Sequence, residues 1–195
     1  MRRWVPLALA VIGAVLAVTA PCAAAIRLAD VRGHIAIGYG RVFSSDTTDT
    51  PGGSLSMGAG LDLPIGAGLR AGLDIGYHSL GAVTLDQGSI STELDFSLLE
   101  ALALVHWFPS AGGRRFVLSG GPGVFSARAA LSSSPVGAIF SRSAIDQWRL
   151  GGAVSASIVR RQPSPVRIGL EAGVRVVPLE DVTWTLAMAR VVILY

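Results

Sequence analysis

From Gly33 to Tyr195 the chain repeats one pattern: apolar side chains at every second position, with glycine, serine or a lone charge between them. In "VRIGLEAGVRVV", Val166, Ile168, Leu170, Ala172, Val174 and Val176 alternate with Arg167, Gly169, Glu171, Gly173 and Arg175. In "SLSMGAGLDL", Leu55, Met57, Ala59, Leu61 and Leu63 alternate with Ser54, Ser56, Gly58, Gly60 and Asp62. A period of two is that of a strand with two unlike faces. Glycine weakens a strand in its middle, so a face turned to water has no reason to collect it. The interior of a small barrel does have a reason, because eight strands enclose little more than their own side chains. If the small, charged face points inward, the apolar face points outward, which is the arrangement of a barrel standing in lipid. A soluble sandwich would show similar strands with the apolar face turned in.

About eight such segments follow one another, separated by clusters of Gly, Pro, Ser and Asp. The expected fold is all-β: a closed antiparallel transmembrane β-barrel of about eight strands in an up-and-down meander. Residues 44 to 53, 81 to 91 and 129 to 145 are expected to be the long loops of one end. The fourth link on that side, "PLED", is short, and tight turns join the other end. Tyr39, Phe43, Tyr77, Trp107, Phe108, Phe116, Trp148 and Trp184 fall near strand ends, where an interfacial girdle would lie. Two strands break the alternation. In "TELDFSLLEALALVHWF", Glu93, Asp95 and Ser97 share one face while Glu100 falls on the other, so a bulge near Leu98 and Leu99 is expected. In the last strand, turning Trp184, Leu186 and Met188 outward carries Arg190 with them, and a change of phase is expected there.

Residues 1–25 read as a signal peptide: "MRR", then "WVPLALAVIGAVLAV", then the small residues "TAPCAAA" ending at Ala25. Residues 26–195 form the barrel domain. Removal of Arg2 and Arg3 lowers the net charge from +3 to +1, which withdraws the electrostatic support for binding nucleic acid. It also removes Cys22, the single cysteine, and with it any disulfide or thiolate site. The composition is 51% hydrophobic and only 15% charged, too apolar for an ordinary soluble domain.

Signals for chemistry are weak. His78 and Ser79 suggest a hydrolase, but adjacent strand residues point to opposite faces. His34 and His106 have no neighbouring serine or carboxylate pattern, and three scattered histidines give no metal-ligand spacing. "GGPG" at Gly120 to Gly123 lies within a strand pattern, not before a helix that could cradle phosphate. Neither a cofactor nor a catalytic residue is expected. Asp62, Arg70, Asp74, Glu93, Asp95, Arg149, Glu171 and Arg175 are expected to form an ion-pair network across the interior, since unpaired charges there would be costly.

The alternating strands, the leader and the chain end "ARVVILY" resemble those of the small outer-membrane β-barrel proteins, the OmpA/OmpX type. The resemblance implies export to the bacterial outer membrane, and contact with its lipids and with lipopolysaccharide. It further implies that Val191, Ile193 and Tyr195 form the signal read by the barrel assembly machinery. A monomer with a structural or surface-interaction role is expected. The alternatives are a narrow channel for small solutes or hydrophobic ligands and, less favoured, a lipid-modifying enzyme. Because no further domain follows Tyr195, the peptidoglycan-anchoring role of two-domain relatives is not expected.

Overall fold

A computed structural model describes residues 30–44, 53–87, 90–109, 114–134, 140–160, 165–180 and 182–195. The leader, residues 1–25, lies outside the described residues, as does most of the first expected loop. Eight strands follow in chain order: β1 (Arg32–Ser44), β2 (Ser54–Gly66), β3 (Leu69–Gln87), β4 (Ile90–Trp107), β5 (Arg114–Ser134), β6 (Phe140–Arg160), β7 (Arg167–Pro178) and β8 (Thr183–Leu194). Each pairs antiparallel with its neighbours and β1 pairs with β8, which closes the barrel. Closure leaves no sheet edge along the paired rows, the condition for strands to cross lipid. The seam runs from His34 opposite Leu194 to Ser44 opposite Trp184. Two further backbone hydrogen bonds of 3.0 Å, between Gly33 and Tyr195, extend it at the turn end.

The expected loops 81–91 and 129–145 are corrected. β3 runs to Gln87 and β4 begins at Ile90; β5 runs to Ser134 and β6 begins at Phe140, so most of both segments is strand. Val83 and Thr84 are good strand formers, and cross-strand pairing continues past the point where β1, β2, β7 and β8 stop.

The bulge expected near Leu98 and Leu99 is also corrected. β4 runs straight through these residues, and the register shift sits in the partner strand β3, between Ser79 and Gly81, opposite Ser97 and Phe96. Gly81 takes φ +85°, a conformation open to glycine, so Leu80 is the extra residue and turns into the interior. At the other end of that segment Gly68, φ +74°, makes the turn between β2 and β3.

The outward face is apolar on every strand. Ile35, Leu61, Ile75, Val105, Phe116, Val154, Leu170 and Ile193, one from each, are exposed to the surroundings. Tyr39, Phe43, Tyr77, Trp107, Phe116 and Trp148 are exposed as a girdle requires. Trp184 is corrected: it is buried within the barrel, in edge contact with Phe96 at 6.0 Å between ring centres. Phe108 lies half-buried at the turn-end mouth of the interior.

Candidate functional site

The inward face changes character along β3 and β8. β3 reads Arg70, Gly72, Asp74, Gly76, His78 and then Leu80; β8, followed from its end, reads Arg190, Met188, Leu186 and Trp184. The half of the interior nearer the tight turns therefore holds the ion pairs, interleaved with Leu104, Val117 and Val192. The half nearer the loops is an apolar cluster built from Val42, Leu80, Leu98, Leu102, Phe125, Val177, Trp184 and Leu186. Leu179 and Val182 pack on this cluster, brought there by a tight link in which Leu179 N–H donates to the Val182 carbonyl at 2.8 Å.

Expecting Trp184, Leu186 and Met188 to face lipid was thus wrong, and no change of phase before Arg190 exists. All four point inward, because the outer half of a narrow barrel is filled by apolar side chains as any core is. The same reasoning places Leu98, Glu100 and Leu102 together inside, and Glu93 and Asp95 on the exposed face. Those two acids therefore leave the expected network.

The polar half holds its charges in pairs. Arg175 donates from Nε to Glu100 Oε2 at 3.0 Å, and both side chains are about 1% exposed. Arg190 donates to Glu171 Oε1 at 2.5 Å, and Arg70 to the Asp62 carboxylate and to the Asp30 carbonyl. His34 Nε2 lies 3.2 Å from Asp74 Oδ2. Arg149 stands apart near the loop-end rim, paired with the exposed Glu180 at 2.5 Å. Of the expected residues, then, Asp62, Arg70, Asp74, Glu171 and Arg175 line the polar half. Glu100, Arg190, His34, His78 and His106, none of them in the expected network, join them.

Glycine makes this packing possible. A Cβ at Gly76 would stand 2.6 Å from Glu100 Oε1, and one at Gly72 would strike the His106 imidazole. The long polar side chains lie flat against wall positions that have no side chain of their own.

One constellation resembles catalytic machinery. His78 Nδ1 meets Ser56 Oγ at 2.9 Å, and His78 Nε2 is 3.4 Å from Glu100 Oε1. Serine, histidine and carboxylate in sequence is the order of a nucleophilic triad. Ser56, however, has no exposed surface, and Arg175 already occupies the carboxylate's other oxygen. The hydroxyl cannot meet a substrate without the interior opening. Ser79 lies on the opposite face of β3, paired with Ser97, as the pleat requires. His106 Nδ1 meets Ser119 Oγ at 2.7 Å beside a cavity of about 30 Å³ bounded by His34, Asp74, Ser155 and Glu171. That space suits an ordered water. The "GGPG" run lies inside β5.

No family model and no curated protein matches the chain. Solved structures do. Neisserial surface protein A is 14% identical with a TM-score of 0.57, over 84% of this chain and 96% of that one. A major outer membrane protein from Thermus thermophilus is 12% identical with a TM-score of 0.56, over 85% and 99%. Ail, the attachment invasion locus protein of Yersinia pestis, solved with the heparin analogue sucrose octasulfate, is 15% identical with a TM-score of 0.53, over 85% and 99%. Identities this low establish a shared fold and leave activity to each chain's own side chains.

Proposed function

We propose that this chain, which has the fold of the small outer-membrane barrels, stands as a monomer in the outer membrane of a bacterium as a sealed structural or surface-interaction barrel. One observation carries the reading: an exposed apolar band covers all eight strands, while the interior is filled with paired charges and an apolar plug. Water would not sustain such a band on a monomer. Hydrocarbon does. Residues 1–25 would direct export and be removed, and the wall would meet outer-membrane lipids, with lipopolysaccharide at the loop end. The filled interior favours a structural role over solute passage, and the sealed Ser56 favours it over lipid-modifying catalysis. In a planar bilayer the refolded protein is expected to show no large, stable conductance; sustained open channels would favour the narrow-channel alternative.

The chain end supports a role in assembly. Val191, Ile193 and Tyr195 share the outward face, and the Tyr195 ring lies over Gly33 at the seam. Tyr195→Ala is expected to reduce the amount reaching the outer membrane several-fold in cells, with Tyr195→Phe near normal and refolding of both in detergent intact. Equal surface amounts of the alanine variant would remove the assembly role.

A further inference from the structure

We infer that the turn end of the barrel wall binds the phosphate of an anionic phospholipid headgroup, through Arg160 and Arg114. In the β5–β6 ladder these two residues stand directly opposite one another, one outward step beyond Phe116 and Ile158, which are exposed on the apolar face. Like charges at directly opposed positions repel. Among the described residues Arg160 is exposed and forms no ion pair. The sequence offers no acid between Glu100 and Asp146, nor between Asp146 and Glu171, and Asp146 lies at the far end of β6.

Depth agrees with the charge. Trp148 is exposed on the outward column of β6, and Arg160 closes the same column twelve residues later. At about 3.3 Å per residue and a tilt of about 40°, the two are separated by about 30 Å along the membrane normal, one hydrocarbon thickness. With the Trp148 indole at one interface, Arg160 reaches the phosphate layer of the other. Guanidinium binds phosphate through two parallel hydrogen bonds, and one phosphodiester between two arginines removes their repulsion.

The inference rests on the membrane reading, and its test separates the two. The full chain is refolded into phosphatidylcholine vesicles carrying a trace of spin-labelled phosphatidylglycerol or spin-labelled phosphatidylcholine. The motionally restricted component is expected to favour phosphatidylglycerol about fivefold, which corresponds to about 1 kcal/mol for the pair together. The preference should vanish in Arg114→Gln/Arg160→Gln, survive in Arg128→Gln at the loop end, and fall away at about 1 M salt, where screening acts within about 3 Å. Equal restriction of both lipids by the unaltered protein, or a preference unchanged in the double variant, would overturn it. If the double variant does not refold, a preference that persists at high salt overturns it instead. Failure to insert, with neither lipid restricted, would count against the membrane reading itself.

Discussion

Glu100→Ala is expected to lower the unfolding free energy by about 3–5 kcal/mol, the cost of leaving a buried charge without its partner. Among the described residues Arg175 is the largest fully buried side chain, and the Glu100 carboxylate both receives its Nε–H and faces His78. Truncating Glu100 leaves the buried Arg175 guanidinium without its carboxylate partner. Glu100→Leu combined with Arg175→Met should recover most of the loss, because a matched apolar pair avoids the desolvation of both ions. Urea titration of the refolded protein in lipid vesicles measures both variants. A single variant within about 1 kcal/mol of the parent would mean that the pair is dispensable.

The second large effect concerns the outer wall. Val154 is 67% exposed and lies midway between Trp148 and Arg160 on β6. On a soluble protein an exposed valine changed to arginine alters stability by about 0.5 kcal/mol at most. At the middle of a bilayer the same change costs about 2–4 kcal/mol. Val154→Arg is therefore expected to destabilise the barrel by that larger amount in vesicles. Thr84→Arg, at an exposed position towards the loop end of β3, should cost much less. A neutral Val154→Arg would argue that this face meets water.

The closed barrel was legible because the two-residue period and the crowding of glycine opposite apolar residues admit few other folds. Facing was legible where small residues and charges shared a strand, as in β2, β3 and β7. It was misread in β4 and β8, where "apolar means outward" was applied to Leu98, Leu186, Met188 and Trp184. Those residues fill the loop end of the interior, so the charges Glu100 and Arg190 were the better guides to phase, and neither needed a bulge to bring it inside. Glu93 and Asp95 followed the wrong face for the same reason. The pairing of His78 with Ser56, and of His106 with Ser119, depends on register between strands, which no spacing within one strand displays. The extra length of β3, β4, β5 and β6 was missed because serine, threonine and glycine mark loops and exposed strands alike.

The most direct test of a lipid-embedded closed barrel is fractionation followed by gel electrophoresis of boiled and unboiled samples. The protein should stay with washed membranes, and without boiling it should run as a compact band whose mobility shifts once heat opens the barrel. A protein recovered in the soluble fraction, with one mobility whether heated or not, would contradict the account.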